Sequence, residues 1–444
     1  MKIRKVSIYL FAAIFAAFSL QSCSSDDDDE IVPVNPVKSE VELPATITSN
    51  TTLDNTKIYV LKKDVYTRVF SGATLTIPAG TVIKGNINSA LIIEMGGKID
   101  AQGTVSNPIV FTSIKPIGDR KTGDWGGVVL AGKAPVNTAD GTAQYEGGAL
   151  GADVAKYGGT IANDNSGIMK FVRIEYAGYP ISKDKELNGL TVCGVGSATV
   201  LENIMVSFGG DDSFEFFGGT VNAKNLIAYK GVDDDFDFDQ GYNGKIQFAV
   251  SIKDPAIADE AGTSRNIENE TKGVVTTTAN YGYTKPLLSN FTFIGGTANG
   301  SAKHGANIFI GNARMVLANS IIASPKTVNL ELGDSFAAVE YKAGRTLLQD
   351  NLVISGTAVS KVYEALGFAD ATALVDYVKG TNTFGASLTF NVNTPNLKLA
   401  EGTSKTPKFE GEISSLEKVN FIGAVGTTDW TTGWTSWDPQ NVKY

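Results

Sequence analysis

Two acidic segments lie 22 residues apart in this chain. They read Asp211-Asp212-Ser213-Phe214-Glu215-Phe216-Phe217-Gly218-Gly219 and Asp233-Asp234-Asp235-Phe236-Asp237-Phe238-Asp239-Gln240-Gly241. Phe214 matches Phe236, Glu215 matches Asp237 and Phe216 matches Phe238. Alternate residues of a strand face opposite ways. The phenylalanines therefore share one face, and Asp211, Glu215, Asp233, Asp235, Asp237 and Asp239 share the other. If the two segments are neighbouring strands, about 4.8 Å apart, equivalent carboxylates oppose one another. Like charges in that position destabilise a sheet. Either the side chains splay into water or a cation sits between them. Calcium suits such a set, because it takes about six to eight oxygens in flexible geometry. Those six residues are the candidate metal ligands. Asp212 and Asp234 have the parity of the phenylalanines. An unpaired buried charge is costly, so both are expected at strand starts, outside the core.

The same carboxylates also admit a catalytic reading. Gly210-Asp211-Asp212 is similar to the paired-aspartate motif of the hydrolases among β-helical enzymes such as polygalacturonases and pectate lyases. In such a pair one carboxylic acid protonates the leaving oxygen and another activates water. On that reading Asp211, Asp212, Asp233 and Asp235 form the centre. His304-Gly305 is similar to the hydrolases' His-Gly element, but it lies too far along the chain, and no Arg-Ile-Lys element follows. His304, the single histidine, sits in a Gly/Ala/Ser/Asn stretch and is expected to be exposed. A lyase needs a basic residue beside its calcium. Arg173 is the nearest candidate in sequence, and pairing with Glu175 is its simpler role.

These residues need a scaffold that repeats. Glycine is abundant (48 residues), with Val, Ile, Thr and Phe frequent, a mixture that favours short strands and tight turns over helices. Apolar runs recur at Ala73–Ile77, Thr81–Gly85, Ala90–Glu94, Asn107–Ser113 and Asp124–Leu130. Each unit is too small to bury its own apolar face, so units must stack on their neighbours. The expectation is an all-β, right-handed parallel β-helix over residues 45–444. Excursions are expected at Thr138–Gly167 and Asp254–Lys285. A helical insertion is expected at 358–379, where Val362, Leu366, Ala369, Ala373, Leu374 and Tyr377 recur at helical spacing. Trp430, Trp434 and Trp437 are expected within an aromatic cap over the last rung, at about 420–444. The phrases LTIPAGTVIKG, GGKIDAQGT, NPIVFTS and GDWGGVVLAGKAPVN resemble those of right-handed β-helix surface lipoproteins of Bacteroidetes and related bacteria. The resemblance runs from about Thr46 to the C-terminus. It implies fold and location, and it transfers no catalytic residues.

The N-terminus carries its own chemistry. Lys2, Arg4 and Lys5 precede an apolar run from Val6 to Leu20, the pattern of a secretory signal. Leu20-Gln21-Ser22-Cys23 resembles a lipobox, which implies cleavage after residue 22 and lipidation of Cys23. The acidic run Asp26–Glu30 resembles a Bacteroidetes surface-export signal, and residues 23–44 are read as a solvated tether and linker. Loss of the three leader cations takes the net charge from −9 to −12. That argues against nucleic acid as a partner. Cys193 is then the one remaining cysteine, so no intramolecular disulfide can form. The expected protein is lipid-anchored to the outer membrane and faces the cell exterior. It displays a β-helix to a glycan, a protein partner or an outer-membrane uptake complex, with calcium as a stabilising cofactor. The alternative is a calcium-dependent polysaccharide lyase or glycoside hydrolase. Metabolic labelling with a fatty acid should mark the wild-type chain and not Cys23→Ala. Equal labelling of both would refute lipidation at this cysteine.

Overall fold

The computed structural model describes residues 38–353, apart from gaps at 149, 152, 183–184, 261–262, 273–281, 296–303 and 324–329, together with 380–384, 393, 395, 397 and 406–444. Short β-branched runs separated by glycine, asparagine and aspartate form strands that pair in parallel with the strand one coil away. Ile58–Leu61 pairs with Val82–Gly85, which pairs with Ile109–Ser113. Thr74–Pro78 pairs with Lys98–Gln102. On another side of the coil a ten-stranded sheet includes, in order, Ala90–Ile93, Val128–Ala131, Leu190–Cys193, Phe214–Phe217, Phe236–Asp239, Ile267–Glu270 and Ile308–Gly311. The chain is a parallel β-helix, as its repeats require.

The longer sheet carries two ladders side by side. In the first coils they are separate strands. From Gly167–Glu175 to Leu287–Ile294 a single long strand serves both, and it bends at one residue in the left-handed region: Phe171, Asn203, Asn225, Phe248 or Asn290. That residue drops out of the pairing register between Lys170↔Glu202 and Val172↔Ile204. Asparagine tolerates this conformation better than most residues. Three of these five bends use it.

Inward side chains stack coil on coil. Phe214 lies over Phe236 with ring centroids 5.2 Å apart, and Phe216 lies over Phe238 at 5.3 Å. The register is Phe214↔Phe236, Glu215↔Asp237, Phe216↔Phe238, the alignment expected from the 22-residue spacing. The body also starts earlier than residue 45, because Glu40–Glu42 already pairs with Ile58–Val60.

Several expectations change. The excursion at Thr138–Gly167 is a built cover. It forms an antiparallel hairpin, Thr142–Gln144 with Lys156–Gly158, and a 3-10 turn at Tyr145–Gly148. Tyr145 and Tyr157 pack against Phe217, Cys193, Val129 and Ala131 on the outer face of the shorter sheet. Asp254–Lys285 is not wholly irregular, since Ile267–Glu270 is a rung strand paired with Phe236–Phe238 and with Ile308–Gly311. Its Glu and Asn residues hid the alternation. The insertion expected at 358–379 lies outside the described residues. A helix that the sequence reading missed, Ser335–Lys342, is capped by the Asp334 side chain and buries Ala337, Ala338 and Tyr341 in the core.

The tryptophans do not close the last rung. The C-terminal segment runs back along the outside of the long sheet. Lys408 bonds Asn319, Ile413 packs on Val316 and Ala318, and Ala424 bonds Thr292. Trp434 is buried with Met205, Ile227, Tyr229, Val250 and Ile252. Farther on, Arg120 donates to the Pro439 carbonyl at 2.7 Å, and Tyr444 donates to Glu175 at 2.6 Å. Outward apolar residues of consecutive long strands make a continuous stripe, and the tryptophans cover it. Phe238→Ala should destabilise the full chain by about 3–5 kcal/mol, because it empties a stacked interior site. A urea midpoint within error of wild type would refute the stacked core.

Candidate functional site

The outer face of the shorter sheet carries the chemistry. Thr191, Glu215, Asp237 and Glu268 occupy one row across four adjacent strands, each opposite the next. The strands place them there because Phe214, Phe216, Phe236 and Phe238 take the inward positions. The preceding corner adds Asp211 and Asp212. That corner is narrow: a Cβ on Gly178, whose φ is +97°, would lie 2.4 Å from the Gly210 nitrogen. Only glycine permits the two coils to approach so closely.

Two carboxylate triads result. Asp211, Asp212 and Asp233 bring ligand oxygens within 4.8 Å of one another, and so do Asp212, Glu215 and Asp237. Asp212 belongs to both. The inner triad is buried, with Glu215 7% and Asp237 4% exposed, whereas Asp211 and Asp233 are half-buried at the rim. The acidic ladder is thus not a flat solvated face. A roof lies over it. Tyr145 donates to the Glu186 carbonyl at 2.7 Å, Lys185 donates to the Glu146 carbonyl at 2.6 Å, and Asn188 donates to both Glu215 and Tyr145.

Two of the expected ligands are used elsewhere. Asp235 lies before the first strand residue, Phe236, so strand alternation does not govern it. It is fully buried and its Oδ1 sits 3.1 Å from the Lys253 ammonium, itself 1% exposed. Ser251 and Asn266 also donate to it. Ser251 shares a row with the core residues Ala228 and Phe293, so Asp235 is turned toward the interior. Asp239, at the end of its strand, accepts the backbone N–H groups of Gln240 at 2.6 Å and Lys272 at 2.7 Å. It secures a turn. Asp212 and Asp234 sit just before the strands, as expected, but both are buried there, and each accepts a backbone N–H from the next coil: Asp234 for Asp212, Arg265 for Asp234. Asp212 nevertheless joins both triads, a role that its parity concealed.

Arg173 pairs with Glu175 at 3.3 Å, and both engage Tyr444. The arginine is occupied in seating the C-terminal segment. His304 is half-buried and forms a parallel bridge with Ser264, so it is not the exposed loop residue expected.

Electrostatics make the inner triad costly without a counter-charge. Burial, then Asp211 and Asp237, push the Asp212 carboxyl well above the usual carboxylate range. Burial, then Asp237 and Glu146, do the same to Glu215. Burial raises Asp237, opposed by Lys272 and reinforced by Glu268 and Asp239. Four oxygens here are buried without a hydrogen-bond partner: Asp233 Oδ1, Asp237 Oδ1, Asn188 Oδ1 and Thr191 Oγ1. Burying a polar oxygen unpaired costs roughly 1–3 kcal/mol. Oxygen-rich, acidic and unsatisfied, the pocket fits a hard divalent cation.

The family model for pectate-lyase-like β-helix domains matches residues 45–435. The chain belongs to this family. Comparisons with curated proteins and with solved structures gave no match. In this pectate-lyase-like β-helix the sequence signal for Glu215 and Asp237 was the repeat itself. Asn188, Thr191, Tyr145 and Glu146 had none, since they reach the site from other coils and from the hairpin cover.

The raised carboxyls set a pH dependence. In the folded chain they hold protons that the unfolded chain releases at an ordinary carboxylate pKa, so the folded state binds more protons and stability falls as pH rises. With a chelator present, this contribution should be lost progressively above about pH 4. Asp212→Asn/Asp237→Asn should lose less stability than wild type between about pH 4 and about pH 8. Equal losses in thermal melts of the two chains would contradict the assignment.

Proposed function

We propose that this β-helix is a lipid-anchored protein of the outer cell surface that binds glycan through a calcium-loaded carboxylate pocket. The convergence of Asp211, Asp212, Glu215, Asp233 and Asp237 into two triads around Asp212 carries the reading. The deep carboxylates are almost closed to solvent. Contact with a sugar therefore falls to the rim. There Asp211 and Asp233 are joined by the half-buried Glu146 and Glu186. An uncompensated rim of this kind repels an acidic glycan. A bound dication reverses that and offers open coordination positions to sugar hydroxyls or carboxylates. Membership of a pectate-lyase-like family supports a polysaccharide as the ligand class. The lipobox-like Cys23 and the acidic run after it support display at the surface.

A second reading, a calcium-dependent polysaccharide lyase or glycoside hydrolase, is favoured by one observation. The Gly210-Asp211-Asp212 corner stands at the rim with half-buried Asp211, beside a second aspartate, Asp233, in the same triad. Its weakness is Asp235, committed to Lys253 inside the coil.

A glycan array probed with the detergent-solubilised chain, in calcium and in chelator, tests the first reading. Calcium-dependent retention of polysaccharides, reduced at least tenfold by Asp237→Asn, is expected. No retention in calcium would overturn it. New reducing or unsaturated ends in the retained polymers would move the assignment to the enzyme.

A further inference from the structure

We infer that the pocket holds two divalent cations bridged by Asp212, an inner one set by Asp212, Glu215 and Asp237 and an outer one set by Asp211, Asp212 and Asp233. This rests on the cation reading above and specifies its stoichiometry. The two triads share one residue and differ in depth. The inner lies under Tyr145 and Asn188, and the outer lies at the rim. Each has its own unsatisfied oxygen. Asp237 Oδ1 is buried without a partner in the inner set, and Asp233 Oδ1 is so placed in the outer. Two neutral oxygens stand beside the inner set. Thr191, fully buried, is opposite Glu215 in register, and Asn188, 2% exposed, hydrogen-bonds Glu215. Neither Thr191 Oγ1 nor Asn188 Oδ1 has a partner. These oxygens extend the donors available to an ion that takes about six to eight.

Charge decides between one ion and two. Five carboxylates make up the triads. A single dication leaves three negative charges in a largely buried space. Two dications leave one. Asp212 can serve both ions through a carboxylate that is oriented by the Asp234 N–H at 2.9 Å. Shared carboxylates are the usual means of holding two cations about 4 Å apart. The ions differ in exposure. The inner is enclosed and exchanges slowly, whereas the outer faces solvent and exchanges with added ligands.

Equilibrium dialysis of the full chain against calcium, read by elemental analysis, with calorimetric titration alongside, tests this. Two ions per chain are expected, in a tight and a weaker phase. Asp233→Asn, at the half-buried rim, should remove the weaker phase and leave the tight one within about twofold. Asp212→Asn should weaken both by tenfold or more, while Asp212→Glu, which keeps the charge, should retain two ions. Circular dichroism melts confirm that each variant is folded. One ion per chain in wild type would overturn the paired site and leave the cation reading intact. Two ions of which Asp212→Asn and Asp212→Glu affect only one would overturn the bridge. No bound calcium would overturn both.

Discussion

Parallel stacking in register is the constraint on which the rest of the molecule depends. A coil that repeats after 22 residues places every side chain over its counterpart, so whatever one rung does the next must tolerate. Inside, this is favourable: Phe214 over Phe236 and Phe216 over Phe238 bury their rings, and such pairs add about 0.5–1.5 kcal/mol beyond area burial. Outside, the same geometry sets Glu215 against Asp237. Two carboxylates about 5 Å apart repel by roughly 3 kcal/mol at an effective dielectric near 20. One operation therefore builds both the core and the charge problem, and the acidic pocket is where that problem is concentrated.

A β-helix left bare would solve it by hydration. This one covers the row. The hairpin excursion brings Tyr145 and Tyr157 down on the shorter sheet, and the corner preceding Leu190 contributes Asn188. Water is excluded from Glu215 and Asp237, so their charge must be neutralised, by protons or by a cation. On the opposite flank the C-terminal segment covers an apolar stripe from Asn319 to Arg120, with Trp434 at its buried centre. The two covers act on different surfaces. The tail closes a hydrophobic one, whereas the hairpin encloses charge and makes a site.

Much of this was legible because a solenoid writes its third dimension into its repeat. The strands at 82–85, 90–93, 109–113 and 128–131, the Phe stack and the Glu215–Asp237 pair follow from spacing and alternation alone. The reading failed where alternation stops. Asp235 and Asp212 stand at corners, where the chain turns through the plane of the strand and parity no longer decides direction. Asp235 turned inward to Lys253, a buried partner that no local pattern announces. Asp212 turned toward the carboxylates. The tryptophans gave the right physics, burial against an apolar surface, and the wrong surface. Their segment crosses many rungs, and sequence spacing carries no information about which ones. Ile267–Glu270 was obscured for the opposite reason, since its rung is largely polar on both sides of the alternation.

The central claim is that a hard cation offsets the stacked carboxylates. Anomalous diffraction from crystals of the protein soaked with terbium, a calcium substitute, tests it most directly. The account predicts a peak bounded by Asp212, Glu215 and Asp237. A pocket with no anomalous peak, its carboxylates instead joined by short carboxyl–carboxylate hydrogen bonds, would contradict it.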